Sequence, residues 1–189
     1  PSIYTSTEFL REPRGLETTS PRFSWYVEPK DDGAPVPLAS VQSTYRIQVA
    51  TSSAALSDQS SGVLWDTGEV HSNTSVLVPF SGEEGLKRSA VDFWRVGLMY
   101  NTTVDGATWW SATARFSIGL DGASIADEAT GARFIGAPNV STGACPWFRK
   151  TFFVPADAFA SDDAAVLGSV GSVGFHELWI NGVRAHSDV

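Results

Sequence analysis

The chain has 189 residues and a formal net charge of −8, and 42% of its residues are hydrophobic. This length predicts one large domain or two small ones, with enough apolar residues for a packed core. The acidic balance and the lack of basic runs argue against nucleic acid or a membrane as a partner, because both attract clustered Lys and Arg. No apolar stretch reaches the length of a membrane span.

Strand patterns recur at short spacing, between turn-forming clusters of Gly, Pro, Asn, Asp and Ser. Residues 22–28 (RFSWYVE), 43–50 (STYRIQVA) and 92–100 (DFWRVGLMY) alternate in the way that strands with one wet face do. Three weaker strand candidates are 63–66, 75–80 and 108–119. The small residues of 52–62 predict one short turn of helix. We therefore expect an all-β fold over 1–119, a fibronectin type III-like or immunoglobulin-like sandwich of about seven strands.

The second part of the chain differs in character. Residues 120–131 are polar and small, which predicts a linker. Residues 132–189 are predicted to begin a second β-sandwich domain, jelly-roll-like in architecture. Its strand candidates are 132–137, 147–154, 164–173 and 174–180.

A hairpin is predicted at Asn181-Gly182, because both positions of such a turn need positive φ. Its second strand would begin at Val183, and the sequence stops at Val189. We therefore expect the second domain to be incomplete. We also expect residues after about 119 to be stable only with a partner, because a half-built sandwich exposes strand edges and apolar faces.

Catalytic and metal-binding patterns are missing from the sequence. The three histidines, His71, His176 and His186, lack metal-ligand spacing relative to one another or to the single Cys145. Neither a glycine-rich phosphate loop nor a nucleophile elbow is found. We therefore predict no catalytic residue, no metal site and no cofactor, and we expect Cys145 to be a buried, inert thiol.

Paired carboxylates are the groups that hydrolyse glycosidic bonds, so the acidic residues need separate consideration. Most of them are adjacent pairs in polar loops, where they stay ionised and take no part in catalysis: Asp31 with Asp32, Glu83 with Glu84, Asp127 with Glu128, and Asp162 with Asp163. Glu177 lies in an apolar strand candidate, FHELWI. An acid on the wet face of a strand is the commoner case, and we expect that here.

Tryptophans are candidates for stacking on sugar rings. The four considered are Trp109, Trp110, Trp147 and Trp179. Core packing is favoured for each, because an aromatic ring on a sandwich strand buries a large apolar area. Trp109 and Trp110 are consecutive, so one of them must face away from the core and could pack on a neighbouring domain. The carbohydrate-binding residues therefore stay unassigned.

Three N-glycosylation sequons indicate where the protein resides. Asn73, Asn101 and Asn139 each stand two residues before Ser or Thr without an intervening proline. All three fall in or beside predicted turns, where a glycan can be accommodated. They favour a secreted, extracellular glycoprotein of a eukaryote.

Several segments, in a fixed order, resemble the N-terminal region of bacterial and fungal α-L-rhamnosidases. In the first part these segments are FLREPRGLETTSPRFSW, QSTYRIQVATS, LWDTGEVHSNTS, FWRVGLMY and WWSATARFSIGL. In the second part they are ARFIGAP, WFRKTFFVP and GFHELWINGVRAHSDV, with Phe134 where the family has Trp. No single motif is highly specific, but the ordered set is.

The resemblance implies two or more β-sandwich domains ahead of a catalytic (α/α) barrel, followed by a C-terminal β domain. Such enzymes hydrolyse terminal α-L-rhamnosides with inversion, through an acid and a carboxylate base on the barrel. None of that barrel is recognised here, so no catalytic residue is carried over. Some members bind rhamnose with calcium in a neighbouring domain, but no acidic cluster here matches such a site.

Three hypotheses follow from these observations. In the first, the chain is a non-catalytic scaffold of a secreted rhamnosidase, with the rest of that polypeptide as its partner and rhamnose-containing glycans as the parent's ligands. In the second, it is a free carbohydrate-binding module. In the third, it is a structural fibronectin-like interaction module, which predicts no sugar affinity.

Overall fold

The computed structural model describes residues 2–28, 42–58, 61–100, 108–121, 133–138, 145–159, 163–172 and 174–185. The strands are β1 (Ser2–Thr7), β2 (Arg22–Glu28), β3 (Gln42–Ala50), β4 (Val63–Asp66), β5 (Val78–Pro79), β6 (Ala90–Tyr100), β7 (Trp109–Trp110), β8 (Ala114–Ile118), β9 (Trp179–Ile180) and β10 (Val183–Arg184). One short helix, α1 (Ser53–Asp58), and a 3₁₀ turn (Ala156–Phe159) are the helical elements of the described residues. None of these is long and apolar enough to cross a membrane. The predicted all-β class is confirmed.

Two antiparallel sheets form the first part of the molecule. The smaller sheet has the order β1-β2-β5, and the larger has the order β4-β3-β6-β7. β8 pairs with the same edge of β6 as β7 does, but further towards the start of β6. The long β3–β6 ladder lies at the centre of the larger sheet and runs from Gln42↔Tyr100 to Ala50↔Phe93.

The core lies between the two sheets and is built from the apolar positions of the alternating strands. Its fully buried members include Phe23 on β2, Ile47 and Val49 on β3, and Trp94 and Val96 on β6. Phe23 packs against the Trp94 ring with centroids 4.5 Å apart. Burying each such side chain contributes about 1.5–3 kcal/mol, so this face determines the register of the sheet.

The other face of the larger sheet is only partly wet, which corrects the expectation drawn from its alternation. Helix α1 lies over the end of the β3–β6 ladder, where Leu56 packs with Ala50 and Phe93 in a second buried cluster. Gln48, predicted to face solvent, is 1% exposed. The short helix predicted between 52 and 62 is confirmed, and it is this helix that buries the apolar end of the face.

Most strands of the first part agree with the sequence pattern, and the exceptions have local causes. The strand expected at 75–80 shortens to Val78–Pro79, because Leu77 has a positive φ of 53° and its N–H donates to Ser24 Oγ. The strand expected at 108–119 is split at Ser111, whose hydroxyl accepts the Val96 N–H in place of a backbone carbonyl. β1 was not predicted.

The second part contains much less regular structure among its described residues. The predicted hairpin is confirmed: β9 and β10 pair across Asn181 and Gly182, which have φ of 49° and 81°. The strand predictions at 132–137, 147–154 and 164–173 are wrong for the described residues, which form no strand there, and the strand predicted at 174–180 is reduced to Trp179–Ile180. A strand needs a neighbour for its backbone hydrogen bonds, and these exposed segments have none among the described residues. The predicted linker and second-domain boundaries stay predictions.

Candidate functional site

A row of polar and aromatic side chains crosses four strands on the outer face of the larger sheet. It runs from Asp66 on β4 through Arg46 and Gln48 on β3 to Arg95 on β6 and Trp110 on β7. We call these five residues the outer row. The register explains their meeting, because Gln48 is the partner of both Asp66 and Arg95, while Trp110 faces Gly97.

The Asp66 end of the outer row is electrostatically satisfied. Arg46 donates to both carboxylate oxygens, from Nε to Oδ1 at 2.8 Å and from Nη2 to Oδ2 at 2.6 Å. Gln48 Nε2 and the Gly68 N–H donate to the same carboxylate. Burial acts to raise the pKa of Asp66, but the hydrogen bonds from Arg46, Gln48 and Gly68 outweigh it and lower that pKa to about 2.

Gln48 connects the Asp66 end of the outer row to Arg95 at the other end. Its Nε2 donates 2.8 Å to Asp66, an acceptor, so its Oε1 is turned towards β6 and accepts Arg95 Nε at 2.9 Å. The Arg95 guanidinium in turn lies over the indole of Trp110, with Cζ 4.2 Å from the ring centroid. Both the position and the plane of the Arg95 guanidinium are therefore fixed by neighbours.

Gly97 makes room for the indole. A Cβ built on Gly97 would lie 3.0 Å from Trp110 Cε3 and 2.6 Å from Thr108 Cγ2, so the ring occupies the space that a side chain would fill. Burial lowers the pKa of Arg95, and the positive charge of Arg46 lowers it further. Among the five residues of the outer row, the two guanidinium groups face a single carboxylate, so the row carries one positive charge in excess.

The four candidate tryptophans are placed differently. As predicted, one of the consecutive pair faces away from the core: Trp110 lies on the outer face. Trp109 lies at the edge, 40% exposed, with its ring 5.4 Å from that of Tyr100. Core packing is therefore wrong for this pair, and also for Trp147 and Trp179, which are 95% and 54% exposed. No residue of the described parts of 133–185 is buried, so no core is available there to receive them.

The acidic candidates are mostly exposed or held by cations. Glu83 and Glu84 are exposed. Glu177 is exposed as expected, with an ion pair to Arg184 at 3.0 Å, but it precedes strand β9 and does not lie on a strand. Asp163 has a structural contact that the sequence did not predict: its Oδ2 accepts the Ser53 N–H at 2.7 Å and so satisfies a free donor at the start of α1. Asp31, Asp32, Asp127, Glu128 and Asp162 lie outside the described residues.

The remaining predicted positions do not assemble into a site. No group of three His, Cys, Asp or Glu among the described residues is placed to hold a metal ion. His71 Nδ1 shares a hydrogen bond with Thr44 Oγ1, His176 Nδ1 shares one with Ser172 Oγ, and His186 lies outside the described residues. Cys145 is exposed, so the expectation of a buried thiol is wrong: its segment has no described core to enter.

Of the sequons, only Asn73 falls within the described residues. It is exposed, in a loop where Ser72 Oγ accepts the Thr74 N–H at 3.0 Å. Asn101 and Asn139 lie outside the described residues. The Asn73 side chain is therefore accessible to modification.

Sequence reasoning singled out Trp110 but missed the rest of the outer row. The residues of the outer row are far apart along the sequence; Trp110, for example, follows Gln48 by 62 residues. Only strand order and register bring them together. The available signal was the set of polar residues on the outward positions of strong strands, such as Arg46, Gln48 and Arg95.

Comparisons with known proteins agree with the resemblance seen in the sequence. Residues 3–122 match the family described as Rha78A-like, N-terminal immunoglobulin domain. An α-L-rhamnosidase from Streptomyces avermitilis is 34% identical over an alignment that covers 80% of this chain and 15% of that protein. The chain thus spans about 15% of the length of this curated relative.

Solved structures give the same relationship at the level of the fold. The Streptomyces avermitilis α-L-rhamnosidase complexed with L-rhamnose is 36% identical, with a TM-score of 0.50, over 63% of this chain and 10% of that one. The α-L-rhamnosidase from Dictyoglumus thermophilum is 26% identical, with a TM-score of 0.53, over 64% of this chain and 12% of that one. In both cases the similarity is confined to a small share of the larger protein.

Proposed function

Because the chain belongs to the family of Rha78A-like, N-terminal immunoglobulin domains, we propose that it is a non-catalytic accessory region of a secreted α-L-rhamnosidase. The observation that carries this proposal is the family match over residues 3–122. The chain's small share of its rhamnosidase relatives supports placing the chemistry in the rest of the polypeptide. That remainder, a catalytic (α/α) barrel in our proposal, hydrolyses terminal α-L-rhamnosides with inversion.

The electrostatics of the described acids support a non-catalytic role. A glycosidase needs one carboxylic acid and one carboxylate facing each other across a cleft, about 5–10 Å apart. Here several carboxylates are instead paired with arginines: Glu8–Arg22, Asp66–Arg46, Asp121–Arg88, Glu12–Arg115 and Glu177–Arg184. For Glu8 and Asp66 the hydrogen bonds from the arginine lower the pKa, which makes these two carboxyl groups poor proton donors.

The test compares the isolated chain with its full-length parent. Intact mass under denaturing conditions first establishes that the sample contains this chain of 20.2 kDa and no larger polypeptide. We expect no hydrolysis of p-nitrophenyl α-L-rhamnoside by the chain, and turnover by the parent with the inverted sugar as the first product detected by proton NMR. Turnover by the chain alone would overturn the proposal.

A second candidate function, a carbohydrate-binding module, is favoured by the exposed aromatic rings of the second part. Trp147, Phe153 and Phe175 are each at least 95% exposed, and sugar-binding surfaces use such rings for stacking. Saturable binding of L-rhamnose to the chain alone, measured by calorimetry, would favour this function. We expect no such binding.

Secretion and glycosylation are part of the proposal. The exposed position of Asn73 in a polar loop supports it. In material secreted by a eukaryotic host, we expect peptide-N-glycosidase to reduce the mass by a glycan increment, and Asn73→Gln to remove one increment. Secreted protein without any glycan on Asn73 would contradict this assignment.

We also propose that residues 133–185 are stabilised by contact with the rest of the parent polypeptide. The exposed apolar side chains of this part, among them Phe134, Phe152 and Val166, support this. Limited proteolysis of the isolated chain should cut within 133–185 well before it cuts within 42–100. Equal resistance of both parts in a monomer would contradict the proposal.

A further inference from the structure

Arg95 differs from the ion-paired arginines of the molecule in having no carboxylate partner. The ion pairs involve Arg22, Arg46, Arg88, Arg115 and Arg184. In the part of the chain that the structure describes, no carboxylate lies within ion-pair distance of Arg95. Its guanidinium is nevertheless held in place, by a hydrogen bond to Gln48 and by stacking on Trp110.

Most of the N–H donors of the Arg95 guanidinium are not used in the described contacts. A guanidinium carries five N–H donors, and Arg95 uses the one on Nε for Gln48 Oε1. Trp110 covers a face of the guanidinium and accepts no such bond from its edge. The described contacts therefore leave the donors of both Nη atoms unused on a partly exposed side chain.

The contacts of Gln48 and Trp110 with Arg95 fix the direction in which its unused N–H donors point. Asp66 orients Gln48, Gln48 holds Nε, and the indole fixes the guanidinium plane, so little side-chain entropy remains to be lost on binding. A planar fork of N–H donors matches the two oxygens of a carboxylate. The charge of Arg46 is matched by Asp66, so the outer row has an excess of one positive charge, which suits a monoanion.

We propose that Arg95, held by Gln48 and stacked on Trp110, is the anchor of a binding site for a carboxylate group. The ligand is either the acidic side chain of a neighbouring domain or a free sugar acid, since both present the same planar anion. This site is independent of the accessory role proposed above. An arginine that merely stabilised the sheet by stacking would bind no carboxylate more strongly than other arginines do.

The experiment is an NMR titration of the ¹⁵N-labelled chain, with sodium acetate as the probe and sodium chloride holding ionic strength constant. We expect the Arg95 Nε–H and Trp110 Nε1–H signals to shift saturably, with an apparent Kd at least fivefold below that of exposed Arg14. Neutral acetamide should shift neither signal. Equal responses to acetate and acetamide, or an Arg95 response no stronger than that of Arg14, would overturn the proposal.

Variants separate the site from general charge effects. Arg95→Gln should abolish the saturable shift of the Trp110 signal, and Arg95→Lys should weaken it several-fold, because a lysine keeps the charge but loses the fork. Arg22→Gln is the matched control: Arg22 also lies on a strand but is paired with Glu8, so the variant should leave the response unchanged. A dispersed amide spectrum establishes that each variant is folded, and an undiminished shift in Arg95→Gln would overturn the proposal.

The source of the carboxylate is distinguished by two larger probes. Glucuronate carries the group on a sugar ring, and N-acetylglutamate N-methylamide carries it on a peptide side chain. Tighter binding of glucuronate identifies a sugar acid as the ligand, and tighter binding of the peptide probe identifies an acidic side chain. Failure of both to bind more tightly than a neutral sugar would contradict the site itself, whatever the outcome of the hydrolysis assay.

Discussion

The two parts of the chain use similar aromatic residues in opposite ways. In residues 2–121, Phe23, Trp94 and Phe116 are at most 1% exposed, whereas Trp147 and Phe153 in the second part are 95% exposed. The difference lies in the pairing partners. Each of these three core aromatics stands on a paired strand, Phe23 in the smaller sheet and Trp94 and Phe116 in the larger, and the opposite sheet covers it. Apolar composition alone therefore does not make a core; paired strands that present one face to a second sheet do.

The largest expected effect comes from removing one aromatic on each side of this comparison. Trp94→Ala leaves a cavity between the sheets and should lower the free energy of unfolding by about 3–5 kcal/mol. Trp147→Ala removes an exposed ring and should change it by less than about 0.5 kcal/mol. Urea unfolding followed by circular dichroism measures both. A loss above about 1 kcal/mol for Trp147→Ala would mean that the second part is packed in solution.

The next largest effect is the pH dependence of stability that the buried Asp92 carboxyl group causes. Asp92 is 2% exposed, its Oδ2 lacks a hydrogen-bond partner, and burial raises its pKa from 3.8 to about 6. Between these values the unfolded chain releases the proton while the folded chain keeps it. The contribution of Asp92 to stability is therefore complete below pH 3.8 and is lost as pH rises towards 6, by about 3 kcal/mol in total.

Asp92→Asn should remove most of this slope and stabilise the protein at pH 7. Asp66 acts in the opposite direction: its lowered pKa contributes stability above pH 3.8 that is lost as pH falls towards 2. The contributions of these two groups add up to a maximum at about pH 4, close to the pKa that both have in the unfolded chain. Unfolding curves from pH 3 to 8 measure this, and a variant that keeps the wild-type slope would show that Asp92 is not its cause.

A smaller effect is expected for glycines in the two parts. Gly97→Ala would push a methyl group against the Trp110 ring and Thr108, at an expected cost of about 1–3 kcal/mol. Gly136→Ala meets nothing within 4 Å and should be neutral within about 0.5 kcal/mol. Thermal unfolding compares the pair. Equal stability of both variants would show that the indole does not rest on Gly97 in solution.

The sequence predicted those elements whose information is local. The bounds of Arg22–Glu28 and Val63–Asp66 are confirmed, as is the turn at Asn181-Gly182, because alternation and turn chemistry act within a few residues. β1 was missed because SIYTST has no clear alternation of apolar and polar residues. Its Ile3 and Thr5 are placed only by pairing with β2.

What the sequence could not predict depends on contacts between distant residues. The break between β7 and β8 arises from the Ser111 hydroxyl, which accepts a hydrogen bond from the Val96 N–H on β6. Asp66, Gln48 and Arg95 meet only when two ladders are in the correct register, and a third ladder brings Trp110 to Arg95. Trp110 was a candidate from the sequence, but its stacking contact with Arg95 depends on the strand order.

The smallest expected effect concerns the β9–β10 hairpin of the second part. It tests whether this part forms regular structure by itself. Gly182→Ala places a Cβ at a φ of 81°, which costs about 1 kcal/mol. Because the Ala185 N–H donates 2.8 Å to the Leu178 carbonyl only while the hairpin is closed, its hydrogen exchange should accelerate about fivefold. The Val96 amide on β6 is the control and should keep its protection. If the Ala185 amide exchanges at the unprotected rate even before the substitution, the hairpin is not formed in the isolated chain, and the contrast between the two parts is larger than the structure indicates.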